Sequence, residues 1–287
     1  MARIVYVNGR YLSYAEAGVH VEDRGFQFAD SVYEVCDVRD GALIDLTRHL
    51  ARLARSLAEL SIVRPMSEPA LRHVMSEVVR RNRTRDGLVY LQVTRGSAPR
   101  DFVFPGPDTE PTLVVVARAI DPAKIAAKAR RGIAVKSVPD NRWGRCDLKT
   151  VMLLPAALAK ESARAEGAQE AWFVDEKGCV TEGASSNAWI VRSDGFVLTR
   201  PLDARILGGV TRATLLDLLN RLGVPVEQRA FTIADAWAAK EAFVTSASAT
   251  VMPVTAIDDR RIADGRPGAL TLRLREQFHS MAEKLPT

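Results

Sequence analysis

The chain has 287 residues, 47% of them hydrophobic and 26% charged, with a formal net charge of +5. That length suits a large core in two domains, and no apolar run approaches the roughly 18 residues that span a bilayer. The basic residues are scattered, with no block and no aromatic interleaving, which argues against a nucleic-acid partner and favours a surface attractive to anionic metabolites.

Three cysteines, Cys36, Cys146 and Cys179, are too few and too dispersed for a disulfide framework, and their spacing fits no metal. The N-terminus runs directly into an alternating strand without a signal-peptide pattern. A reducing, cytoplasmic setting is expected.

Ile4–Val7, Asn8-Gly9 and Arg10–Leu12 read as a hairpin with a tight turn. Ser31–Val38 and Ala42–Leu46 form a second hairpin around Arg39-Asp40-Gly41. Thr47 is placed to cap a helix carrying Leu50, Leu53, Leu57 and Leu60. Another helix starts at Ser67-Glu68-Pro69 and ends near Asn82. Leu88–Thr94 and Thr112–Ala117 are strands, separated by a Gly- and Pro-rich loop from Gly96 to Pro111. Ile120-Asp121-Pro122 marks a boundary, giving domains 1–119 and 120–287.

The second half opens with a basic helical segment and the strand Ile133–Val138. A helix from about Met152 to Glu166 stops at Gly167. Ala171–Val174, Asn187–Val191, Phe196–Thr199, Ala242–Thr245 and Val251–Thr255 are strands. Thr211 caps the apolar helix Ala213–Leu222, and a last helix covers about Ala269 to Lys284. Strands and helices mix without βαβ alternation, so the class is α+β.

Several stretches carry chemistry. Lys149, preceded by Arg142 and Arg145, sits where a strand gives way to a helix. A lysine there is either a solvated surface residue or an amine whose pKa falls among cations, as a Schiff-base lysine requires. Gly208-Gly209-Val210-Thr211 opens onto a helix and reads either as a plain turn or as an anion cradle. Thr245–Thr250 is small and hydroxylated throughout, which suits a turn or a loop pressed on an anion. Arg52 offers a phosphate fork or a solvated face. Glu182 stands among small polar residues, as an exposed turn or as a carboxylate that keeps a pyridine nitrogen protonated.

Taken together, Glu22–Phe28, Val32–Val35, Gln92–Gly96 with Pro99-Arg100, Arg142–Lys149, Val180–Asn187 and Leu207–Arg212 resemble, in matching order, the fold type IV pyridoxal-phosphate enzymes. The nearest branch is that of the D-amino acid aminotransferases. The resemblance implies a two-domain α+β fold with the cofactor lysine in the second domain, pyridoxal 5'-phosphate as cofactor, and no metal. It implies a homodimer whose active site is shared between subunits, and amino-acid and 2-oxo acid substrates, with D-alanine-like donors and acceptors such as 2-oxoglutarate. Lys149 then forms the Schiff base, Glu182 partners the ring nitrogen, and Leu207 packs on the ring. Arg52, Val210 and Thr211 bind phosphate, while Tyr33 and Arg100 hold the substrate carboxylate, Arg100 from the other subunit.

Two positions depart from the pattern. Phe102 replaces a histidine, removing a carboxylate donor. Ala247 replaces a phosphate-binding threonine, leaving Ser246 or Ser248 to substitute. Branched-chain L-amino acid aminotransferases and aminodeoxychorismate lyases share the fold. The Ser31-Val32-Tyr33-Glu34-Val35 segment lacks the Gly-rich, Phe-Glu-Gly form of the former, and Tyr33 with Pro99-Arg100 argues against the latter.

Overall fold

The computed structural model describes residues 3–287; Met1 and Ala2, which open the expected first domain, lie outside the described residues. The chain forms two compact units. The first runs to Asp121 and also holds Leu148–Met152 and Glu283–Thr287, while the second comprises Pro122–Asp147 and Leu153–Ala282.

In the first unit, β1 (Ile4–Val7) and β2 (Arg10–Ser13) form the expected hairpin. Asn8 and Gly9 both take positive φ, 41° and 85°, as a two-residue turn of this hand requires. A short helix, α1 (Arg24–Phe28), precedes β3 (Ser31–Arg39), β4 (Ala42–Ile44), α2 (Leu46–Glu59), α3 (Glu68–Arg81), β5 (Gly87–Thr94) and β6 (Leu113–Ala119). The antiparallel sheet runs C-terminal strand Lys284–Pro286, β4, β3, β5, β6, β1, β2. Alternation on β5 sends Val89, Leu91 and Val93 into the core. There they join the α2 stripe of Leu46, Leu50, Leu53 and Leu57.

Two features of α2 were not expected. Its N-cap is Asp45, in the left-handed region at φ 53°, and Thr47 lies inside the first turn. The Thr47 N–H and hydroxyl instead donate to the Glu283 carboxylate at 2.9 and 2.7 Å, while Asp45 and Glu283 exchange two bonds of their own. A partner 236 residues away has taken the role a local cap would fill.

The second unit contains α4 (Pro122–Arg131), β7 (Ile133–Pro139), α5 (Leu154–Ala165), β8 (Glu170–Val174), β9 (Val180–Gly183), β10 (Asn187–Val191) and β11 (Val197–Thr199). These are followed by α6 (Val210–Arg221), β12 (Val226–Gln228), α7 (Ile233–Trp237), β13 (Glu241–Ser246), β14 (Thr250–Ile257), β15 (Arg260–Arg261) and α8 (Ala269–Gln277). The mixed sheet runs β12-β11-β10-β13-β14-β7-β8-β9, with β15 against β14. Its central strands β10 and β13 are buried on both faces, and Trp189 stacks on Phe243 with ring centres 5.6 Å apart.

Helix ends differ from the expected ones for identifiable reasons. Pro155 in the first turn sets the start of α5 at Leu154. Thr211 is not a cap: α6 starts at Val210, with Gly209 as its N-cap. The last helix ends at Gln277 and a 3₁₀ turn, because Lys284–Pro286 pairs as a strand with β4.

Candidate active site

Lys149 lies in the first unit, not in the expected second domain. The backbone of Leu148–Met152 is laid along the start of β3. Tyr33 N–H donates to the Lys149 carbonyl at 2.9 Å, Val151 N–H donates to the Ser31 carbonyl at 3.3 Å, and Val32 bridges Thr150. This pairing brings the Lys149 ammonium 4.2 Å from the centre of the Tyr33 ring. Tyr33 in turn stacks on Tyr90 at 5.5 Å.

Sequence reasoning gave no site role to Tyr90, Gln92 or Ser31. The Tyr90 hydroxyl donates to Gln92 Oε1 at 2.7 Å, Gln92 Nε2 donates to the Ser31 hydroxyl at 2.9 Å, and that hydroxyl donates to the Val93 carbonyl. Burial, and secondarily Tyr33, push the Tyr90 phenol well above its usual range, so it stays a donor. The β3–β5 register, Tyr33 opposite Gln92 and Val35 opposite Tyr90, is the signal that would have found them.

Glu34 follows Tyr33 and points to the opposite face, toward α2. There Arg52 forks onto it, with Nε at 2.8 Å and Nη2 at 2.6 Å, and His49 Nδ1 lies at 2.7 Å. Burial pushes the Glu34 carboxyl up, but the Arg52 charge and the bonds from Arg52 and His49 outweigh it and hold it at about 2. Arg52 is therefore anchored on a buried carboxylate.

Arg100 is exposed, with its guanidinium carbon 5.1 Å from the Phe28 ring centre and 5.9 Å from that of Phe102. Among the described residues its contacts do not include Tyr33 or Lys149 of its own chain. Arg24, in the same region, is buried and bound to Asp30.

In the second unit Glu182, on β9, is buried. Arg142 Nη1 donates to its Oε1 at 2.5 Å, while Asn187 Nδ2 and Leu207 N–H donate to Oε2 at 3.0 and 3.1 Å. Arg142 also forks onto Asp140 and reaches Thr181 and the Arg205 carbonyl. Against its burial, the carboxylates of Asp140 and Glu182 push the Arg142 pKa further up, so it remains a cation. Arg142 and Asn187 were not foreseen as partners of Glu182; separations of 40 and 5 residues carry no sequence signal of contact.

Asn187 also donates to the Leu207 carbonyl at 2.9 Å, which fixes the turn leading into α6. A Cβ on Gly209 would collide with Asn187 Oδ1, so a larger residue there would have to displace that side chain. The α6 helix then begins without a side-chain cap, leaving first-turn N–H groups at Val210 and Thr211. Asn187 pairs with Thr245, which brings the following loop to the same end of the sheet. In that loop the Ser246 and Ser248 hydroxyls lie 3.3 Å apart. Thr245 itself accepts from the Trp189 indole.

Glu182, Leu207, Val210, Thr211, Ser246 and Ser248 thus gather in one unit, and Tyr33 with Lys149 in the other. Within the second unit, a buried carboxylate, an uncapped helix end reached through glycine and paired serines suit a phosphorylated pyridine ring; within the first, a lysine lies against an aromatic ring.

The amino-transferase class IV family model matches residues 31–257. The chain is 40% identical to a D-alanine aminotransferase of Bacillus licheniformis over 93% of both proteins. It is 36% identical to a D-alanine aminotransferase of Staphylococcus haemolyticus over 97% of this chain and 98% of that one. Among solved structures, a branched-chain amino acid aminotransferase of T.th. with pyridoxamine 5'-phosphate superposes with a TM-score of 0.89. That comparison covers 98% of this chain and 94% of the other at 29% identity.

Proposed function

The chain belongs to the class IV aminotransferases and is a pyridoxal-phosphate-dependent enzyme of that family, and we propose that its amino donors are D-amino acids of the D-alanine kind. The acceptor is a 2-oxo acid such as 2-oxoglutarate. The observation that carries this reading is the packing of Lys149 on Tyr33, which sets a carboxylate-holding phenol next to the reacting amine. The relatives named D-alanine aminotransferase support it, matching over nearly their whole length.

When bound, pyridoxal phosphate supplies an electron sink for charge developing at the substrate Cα. Lys149 Nζ is its attachment point and the base that moves the Cα proton; held beside the reacting carbon, it works by proximity. Glu182 holds a proton at the ring nitrogen, with Arg142, Asn187 and the Leu207 N–H fixing the carboxylate. Leu207 would pack on the ring. The N–H groups of Val210 and Thr211, the hydroxyls of Ser246 and Ser248, and Arg52 would hold the phosphate. Arg52 would do so while anchored on Glu34.

Tyr33 and Arg100 hold the substrate carboxylate, Arg100 reaching the site of the partner subunit in a homodimer. Two observations support the dimer. Arg100 has no described contact with its own Tyr33 or Lys149. Phe26, Phe102, Val103 and Phe104, in the same region, are exposed apolar side chains that call for cover. We place the protein in the cytoplasm: its three cysteines are free thiols, and among the described residues no helix is long and apolar enough to cross a membrane.

The test is a half-reaction. D-alanine and L-alanine are added separately to the holoenzyme, and the visible absorbance of the lysine-bound cofactor is followed. Conversion by D-alanine alone is expected, and conversion by L-branched-chain amino acids instead would overturn the donor assignment.

A further inference from the structure

Arg100 is an arginine with no carboxylate partner among the described residues. Such a side chain has rotamer freedom that a ligand would have to overcome on binding. Here it rests on an aromatic shelf. Its guanidinium carbon is 5.1 Å from the Phe28 ring centre, and the Phe28 and Phe102 rings pack 5.6 Å apart.

A second arginine also meets the shelf. Arg24 approaches the Phe28 ring to 4.7 Å. Its Nε donates to Asp30 at 2.8 Å, and its Nη1 donates to the Asp101 carbonyl at 2.7 Å, next to Phe102. Arg95 forks onto the same Asp30 at 2.7 and 2.9 Å and donates to the Leu60 and Ser61 carbonyls. Arg24 and Arg95 are buried, 3% and 8% exposed, so this anchor is rigid. A single Asp30 carboxylate serves both of these guanidiniums, whereas Arg100 has no carboxylate partner among the described residues.

We propose that Phe28 is a positioning residue for Arg100, holding its guanidinium in place for the substrate carboxylate. The inference rests on the role given to Arg100 above. The physical reason is that a ring face attracts a guanidinium without occupying its hydrogen bonds. A carboxylate in the same place would hold the arginine equally well but consume the fork that the substrate needs. An aromatic shelf pre-orients the cation and keeps its N–H groups free.

The test uses the holoenzyme and D-lactate, a carboxylate with no amine to react, with binding read by titration calorimetry alongside D-alanine kinetics. Phe28→Leu removes the ring while keeping apolar volume; Phe28→Tyr restores the ring face. Phe28→Leu is expected to weaken D-lactate binding and raise the KM for D-alanine by about tenfold, with kcat and the cofactor's visible absorbance within twofold. Phe28→Tyr is expected to return both values to those of the unaltered protein.

Arg100→Leu separates the two ideas. If it leaves D-lactate binding unchanged, the carboxylate role of Arg100 is wrong and the inference falls with it. If Arg100→Leu abolishes binding but Phe28→Leu binds normally, or Phe28→Tyr does not restore binding, the inference alone is overturned.

Discussion

The side-chain oxygen of Asn187 occupies the space where a Cβ on Gly209 would stand. One residue thus serves two groups. Asn187 holds Glu182 and the Leu207 carbonyl, and it can do so only because position 209 is bare. Gly209→Ala should push Asn187 away and loosen both the carboxylate and the start of α6. We expect cofactor affinity to fall by roughly 1–3 kcal/mol, read as cofactor lost on dialysis, with the melting temperature lowered. Full retention of cofactor would show that the turn relaxes without moving Asn187.

Lys149→Ala should abolish turnover and the visible absorbance of the bound cofactor. Borohydride reduction of the unaltered holoenzyme, followed by peptide mapping, should label Lys149. A label on Lys160 or Lys136 would displace the assignment.

Glu182→Gln keeps shape and removes charge. The variant should fold and bind cofactor yet slow proton transfer by roughly a hundredfold or more, since an unprotonated ring accepts charge poorly. Single-turnover absorbance changes measure that step directly. A rate near that of the unaltered enzyme would remove Glu182 from this role.

Glu34 makes the stability of the first unit depend on acid. Its carboxyl titrates at about 2 in the folded chain against a reference of 4.5, because Arg52 and His49 overcome the cost of burial. Between those values the unfolded chain binds more protons, so this stabilisation is complete above pH 4.5 and is lost as pH falls toward 2. Glu34→Gln should cost about 3 kcal/mol at neutral pH, since Arg52 loses its buried partner. It should also flatten the acid limb of a urea midpoint-versus-pH curve. An unchanged acid limb would refute the pairing as its source.

Phe102→His restores a hydrogen-bond donor beside Arg100. The KM for D-alanine should fall by roughly tenfold, the worth of one hydrogen bond to a charged group. A rise in KM would mean that packing of Phe102 on Phe28 matters more than the donor.

Local chemistry was legible wherever it depended on neighbours in sequence. Asn8-Gly9 demanded its turn, and the Leu50, Leu53 and Leu57 spacing demanded a helix. The motif order from Glu22 to Arg212 likewise indicated the family that the comparisons show. What the sequence could not determine were pairings whose partners lie far apart in the chain. Asp45 displaces Thr47 as the cap of α2 because Glu283 arrives with the C-terminal strand. Leu148–Met152 joins the first unit because its backbone finds hydrogen bonds on β3, which sets Lys149 over Tyr33. Arg142 reaches Glu182 across 40 residues. Propensity and periodicity act over a few residues, whereas a buried polar group takes whichever partner the packed chain brings within reach, and that is settled only by the tertiary structure.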